Sequence, residues 1–149
     1  MMIKNQNLGR MKKLAKNLGI ADQVEFLGWI PPDKIHTYYR RASVFVMPSL
    51  MEGFGLVFLE AMTQGLPVIG GNIGGTPEVI HNEENGILTS PENSVSLQNA
   101  ILKLLNDRNI REKIIQNGYR TSEKFSVKIQ VHETNKYYQG VLLTQPHVG

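Results

Sequence analysis

The chain has 149 residues, 41% of them hydrophobic and 19% charged, which suits one domain with its own core and excludes a disordered tail or a coiled coil. It has no cysteine, so disulfides and thiolate chemistry are out, and the formal net charge of +3 is met by ordinary solvated lysines. No apolar run approaches the roughly 20 residues that span a bilayer, and no apolar stretch follows Met1-Met2-Ile3-Lys4-Asn5 as a signal peptide requires, so a cytoplasmic protein is expected. Leu8 to Leu18 reads as an amphipathic helix, with Leu8, Met11, Leu14, Ala15 and Leu18 at helical spacing and Gly19 as its stop. Val24 to Leu27 reads as a short strand closed by Gly28. Pro31-Pro32-Asp33 opens a second helix that runs to about Arg41.

Ser43 to Met47 is apolar without alternation, the pattern of a strand buried on both faces of a parallel sheet. Glu52 to Gly55 is a turn, Leu56 to Gln64 a helix stopped by Gly65, and Pro67 to Ile69 a strand. Asn72 to Gly75 is a loop before a helix with Thr76 as N-cap and Pro77 in its first position. Asn85-Gly86 turns into a strand at Ile87 to Thr89. A helix follows within Pro91 to Asp107, its apolar face made of Leu97, Ile101, Leu104 and Leu105. Asn109 to about Phe125 and Val127 to about Leu143 read as two more, and 144–149 as a tail. Strands alternating with helices predict an α/β fold: a Rossmann-like parallel sheet with helices on both faces.

Ligands of such sheets bind beyond the carboxyl ends of the strands. Four loops meet that condition: Gly28 to Pro32, Ser49 to Gly55, Gly70 to Thr76, and Thr89 onward. The second runs from a strand through Glu52-Gly53-Phe54-Gly55 into a helix, so glycines beside unpaired helical N–H groups offer an anion site. Glycines there also serve tight turns, and spacing leaves both readings open. A lone carboxylate repels phosphate, so Glu52 should face sugar hydroxyls or a developing cation. Seven residues on, Glu60 sits one turn into the helix among apolar neighbours. A ribose diol would suit it. The residues alone favour a plainer account, in which Glu60, Thr63 and Gln64 form the helix's polar stripe. His36, His81, His132 and His147 have no metal-ligand spacing. Trp29 flanks a base or packs. Tyr38-Tyr39-Arg40-Arg41 reads as packing, with no nucleic-acid partner implied.

These residues carry a resemblance. Val44 to Ser49, then Glu52-Gly53-Phe54-Gly55-Leu56-Val57-Phe58-Leu59-Glu60-Ala61-Met62, resembles the E-x7-E region of the family 4 glycosyltransferases. Gly65 to Ile69, Gly74 to Ile80, Val24 to Gly28 and Asn85 to Leu88 continue it, from roughly Leu8 to Leu143. The resemblance implies the carboxyl-terminal, donor-binding half of a GT-B fold, in which a sugar passes with retained configuration from a UDP-, GDP- or ADP-sugar to an acceptor glycan or lipid. By the match, Glu60 would hold the ribose. Glu52 and the backbone of Gly53, Phe54, Gly55 and Leu56 would hold donor sugar and diphosphate, and the Gly28-Trp29-Ile30 loop would contact the base. Neither metal nor cofactor is implied, since the nucleotide sugar is a substrate. The family's acceptor domain and the donor domain's first strand have no counterpart in the 149 residues, so an amino-terminally truncated domain, inactive alone, is expected. By the resemblance, the family's second strand would survive at best as a remnant at Met1 to Ile3. In the family's strand order 3-2-1-4-5-6, that leaves Val44 to Met47 as an exposed edge unless Met1 to Lys4 fills the gap. Acceptor choice and any peripheral membrane association would lie in the absent domain. An epimerase of GT-B fold and a non-catalytic nucleotide-binding module are the alternatives.

Overall fold

The computed structural model describes residues 6–126 together with 129, 131, 134–136 and 138. The remnant strand expected at 1–3 and the tail at 144–149 lie outside the described residues, as does most of the helix expected from 127 to about 143. The chain divides into two compact units at Pro32.

The first unit holds helix α1 (Gln6–Asn17) and a 3-10 turn (Ala21–Gln23). Gly19 ends α1 as expected, with φ 68. Its N–H donates to Lys16 O at 3.1 Å, and Ile20 N–H donates to Ala15 O at 3.0 Å. That pair of bonds satisfies two carbonyls left over at the helix end. The strand expected at Val24 to Leu27 is not formed. Val24 is extended, with φ −118 and ψ 115, yet the segment has no ladder partner among the described residues. Extended backbone becomes a strand only by pairing. Met11, Leu14 and Leu18 of the expected apolar stripe are exposed.

The second unit carries a parallel sheet in the order β1 (Phe45–Met47), β2 (Val68–Gly71), β3 (Ile87–Thr89). Phe45 pairs with Val68, and Ile69 with Ile87. The connections are helical: α3 (Leu56–Thr63) joins β1 to β2, and the short α4 (Thr76–Val79) joins β2 to β3. Helix α2 (Ile35–Arg41) precedes β1, entered through a 3-10 turn at Pro32–Lys34, and α5 (Ser94–Asn106) and α6 (Arg108–Lys124) follow β3. Successive residues of β2 point to opposite faces, and each face has its own core. Val68 packs with Tyr39, Phe58, Met62, Val79 and Ile80. Ile69 packs with Ile87, Ala100, Leu104 and Ile114. Helices therefore cover both faces, as the sequence predicts.

Three expectations need correction. Strand β1 is half-buried, with Val46 exposed, because among the described residues it pairs only with β2. The alternative expected there, Met1 to Lys4 lying beside β1, falls outside the described residues. Leu105 is exposed, and Ala100 takes its place on the buried face of α5. Thr76 is not an N-cap. Gly75 holds that position, and Thr76 lies inside the helix, fully buried, with no hydrogen-bond partner at Oγ1. The caps that do form are Asn93, accepting from Ser96 N–H, and Asp107, accepting from Ile110 N–H. Asp107 closes α5 and opens α6, which accounts for the tight corner between them. Among the described residues no helix is long and apolar enough to cross a membrane.

Candidate functional site

In the second unit, three loops leave the carboxyl ends of β1, β2 and β3, and glycines let them meet. Gly75 N–H donates to Glu52 O at 2.9 Å. A Cβ on Gly75 would run into Gly53 O, and one on Gly74 would lie 2.7 Å from Glu52 O. A Cβ on Gly71 would lie 2.6 Å from Ser49 O and 3.0 Å from Pro91 Cγ. Gly71 thus joins the loops after all three strands, and Gly74 and Gly75 bind the first two backbone to backbone. Only residues without side chains allow this approach. The space a side chain would take at Gly74 and Gly75 is filled by the neighbouring loop.

Gly55 stands at the N-cap of α3 with φ 84, and no side chain caps the helix. Phe58 N–H reaches Gly55 O at 2.9 Å, while the N–H groups of Leu56 and Val57 before it have no partner within the helix. The positive end of the helix dipole is exposed here, together with the side chain of Leu56. Glu52 is half-buried, and its Oε1 accepts from Gly53 N–H at 3.1 Å. That donor is one of those assigned to the ligand, so Glu52 must turn away before Gly53 can bind a phosphate. Phe54 has its ring against Phe125, edge to face at 5.4 Å, so only its backbone is available to a ligand.

Glu60 is exposed on α3, one turn beyond Leu56 and on the same side of the helix. Thr63 Oγ1 donates to Glu60 O, and Arg40 Nε donates to Gln64 Oε1 at 2.9 Å. The polar stripe of Glu60, Thr63 and Gln64 is therefore real. It does not leave the carboxylate alone: Tyr39 Oη donates to Glu60 Oε2 at 3.3 Å. Burial, and next the charge and hydrogen bond of Glu60, push the Tyr39 phenol above its ordinary value of 10.0. Sequence reading gave Tyr39 only a packing role. Its partner is 21 residues away, and no local spacing signals such a contact.

Gly28, Trp29 and Ile30 belong to the first unit. Gly28 has φ 68, Trp29 is 80% exposed and Ile30 is half-buried. Two concavities lie away from all of these residues. One, of about 610 Å³, lies over Asn99, Lys103, Asp107 and Arg108. The other, of about 410 Å³, lies at the amino ends of β1 and β2, lined by Ser43, Leu66 and Arg111. Among the described residues there is no group of three or more His, Asp or Glu placed to hold a metal ion.

The model of the family "Glycosyl transferases group 1" matches residues 4–121. A glycosyltransferase of Methanocaldococcus jannaschii, MJ1607, is 37% identical over 130 residues, which cover 87% of this chain and 33% of that protein. The chain thus spans about a third of the length of the curated relatives it matches. Among solved structures, the C-terminal domain of the group 1 glycosyl transferase LpcC from Francisella tularensis superposes with a TM-score of 0.74 at 32% identity, over 85% of this chain and 66% of that one. Anabaena Alr3699/HepE, in complex with UDP and glucose, does so with a TM-score of 0.81 at 29% identity, over 91% of this chain and 38% of that one. Carboxyl-end loops locked by glycines, an uncapped helix behind them and this likeness in both sequence and fold lead to one assignment: the chain belongs to the group 1 glycosyl transferases.

Proposed function

We propose that this chain carries the donor-binding site of a retaining glycosyltransferase of the E-x7-E type, family 4, and that it takes a UDP-, GDP- or ADP-sugar. One observation carries the reading. The loops after β1, β2 and β3 are fixed to one another around the uncapped N-terminus of α3, and that helix bears Glu60 while its entry loop bears Glu52. The diphosphate lies against the first-turn N–H groups of α3. Glu60 receives the ribose hydroxyls, and Glu52 turns from Gly53 N–H toward the donor sugar.

The chemistry follows from charge. As the glycosidic bond to the diphosphate breaks, negative charge grows on the leaving oxygen and positive charge on the anomeric carbon. Oriented backbone N–H groups and the helix dipole stabilise the first without a metal ion. A carboxylate such as Glu52 stabilises or orients the second, as carboxylates do for oxocarbenium-like states in glycoside hydrolysis. Transfer to a glycan or lipid acceptor is the proposal for the whole protein, since the matched curated relatives are about three times as long as this chain.

Calorimetric titration with UDP, GDP, ADP and their sugar conjugates, repeated on Glu60→Ala, tests the site. Saturable binding of one nucleotide, weakened about tenfold or more by the substitution, is expected. A folded chain that binds none of them would overturn the reading.

A further inference from the structure

A carboxylate on an exposed helix face samples several rotamers, and holding one for a ligand carries an entropic cost. Glu60 is placed differently. Its Oε2 accepts from Tyr39 Oη at 3.3 Å, and that hydroxyl is itself held firmly. Tyr39 is 8% exposed. Its ring meets Phe45 of β1 edge to face at 5.7 Å, and Phe45 meets Phe58 of α3 in the same way at 5.7 Å. Phe58 is fully buried. The stack runs from α2 through the sheet edge into the core, so Tyr39 Oη has little freedom to wander. The next residue of α2, Arg40, bonds Gln64 one turn further along α3, which fixes α2 against the same helix face.

We propose that Tyr39 is the positioning residue for Glu60: its hydroxyl holds one carboxylate oxygen so that the other is presented to the vicinal diol of the nucleotide's ribose. The proposal rests on the reading of Glu60 as the ribose-binding group. Tyr39 does not touch the ligand. It acts through Glu60 alone, and this separates it from a residue that merely fills the core.

The test uses the full chain and UDP, GDP and ADP, each beside its 2′,3′-dideoxy counterpart. The unsubstituted chain prefers the ribose form, and Glu60→Gln abolishes the preference. Tyr39→Phe, which keeps the ring and the stack, weakens the ribose nucleotide roughly three- to tenfold and leaves the dideoxy nucleotide unchanged, the size expected when one ordered side chain is released. In a Glu60→Gln background, Tyr39→Phe has no further effect. If Glu60→Gln abolishes the preference and Tyr39→Phe leaves it intact, or weakens both nucleotides equally, the positioning role is overturned and the site reading stands. If Glu60→Gln leaves the preference intact, or no nucleotide binds, the site reading falls and the positioning role with it. A ligand-free measurement tests the contact itself. In a chain labelled at the tyrosine ring carbon bearing the hydroxyl, the resonance lost in Tyr39→Phe shifts in Glu60→Gln. An unmoved resonance would show that the contact is absent.

Discussion

Gly75 and Glu52 are joined by a backbone hydrogen bond of 2.9 Å across two loops that lie 23 positions apart in the sequence. The bond exists because Gly75 has no side chain: a Cβ there would collide with Gly53 O. Backbone has nowhere to go, so the β1 and β2 loops must separate in Gly75→Ala. A loss of roughly 1–3 kcal/mol is expected, with loss of nucleotide binding. Gly118 provides the contrast. A Cβ there meets only the side chain of Met62, its Cγ at 3.1 Å being the nearest atom, and methionine adapts. Helix propensity gains up to roughly 1 kcal/mol, so Gly118→Ala falls close to neutral. Urea unfolding of the two variants checks the order. Similar losses in both would mean that the loops are not locked as described.

Asn85 is buried and fully used. Its Oδ1 accepts from His81 N–H at 2.7 Å, and its Nδ2 donates to Val79 O and to Thr121 Oγ1, each at 2.9 Å. It ties the end of α4 and the turn before β3 to α6. Asn85→Ala removes three bonds and strands the part-buried His81 N–H and the buried Val79 carbonyl, so it should cost about 2–4 kcal/mol. Thr121→Val removes one of the three and keeps the shape, and should cost about 1 kcal/mol. Thermal unfolding distinguishes the two. Equal losses would show that the tie to α6 carries Asn85's whole contribution and that its two bonds in the turn add nothing.

Local signals account for much of what the sequence revealed. Gly19 and Gly65 end their helices with φ 68 and 72, because a chain that must turn left-handed needs a residue without a Cβ. The Ser43-to-Met47, Pro67-to-Ile69 and Ile87-to-Thr89 runs became three paired parallel strands in the expected order. Failures came where a neighbour decides the outcome. Val24 to Leu27 has strand composition but no ladder partner among the described residues, and Val46 has an interior residue's character yet is exposed. At the candidate site, Glu52, Gly53 and Gly55 stood out by type and spacing, whereas for Glu60 the residues alone favoured a polar stripe and the ribose role came from the resemblance. The space that Gly74 and Gly75 leave for another loop was not. Nor was Tyr39 beside Glu60, since such contacts depend on tertiary packing.

Glu83 has φ 60, a left-handed conformation that costs a residue with a side chain roughly 1–2 kcal/mol. Lys103 Nζ bonds its Oε1 at 2.6 Å, but both side chains are substantially exposed, and such pairs contribute only about 0.2–1 kcal/mol. The backbone cost is therefore larger than the pair's gain. Asparagine tolerates this conformation better. Glu83→Asn should raise stability by up to roughly 1 kcal/mol, and by more at high salt, where the lost pair counts for less. Melting at low and high sodium chloride checks both signs. Destabilisation at high salt would mean that the loop, held also by Lys113 Nζ on Glu83 O at 3.0 Å, needs glutamate for another reason.

The Tyr39 phenol predicts an alkaline limit to stability. Burial first, then the charge and hydrogen bond of Glu60, raise its pKa in the folded chain above the 10.0 of an unfolded tyrosine. Folding therefore favours the protonated phenol. The stabilisation is fully present below pH 10.0, where both states hold the proton, and it is lost as pH rises through the folded value. Unfolding free energy should fall with pH in that window, with a shallower slope in Tyr39→Phe, which has no proton to lose. Glu60→Gln should lie between the two, because it removes the neighbouring charge and leaves burial, the larger cause. Urea unfolding from pH 9 to 11 reads the three slopes. If Glu60→Gln matched the unsubstituted chain, burial alone would raise the phenol, and the Tyr39–Glu60 bond would have no weight in the folded state.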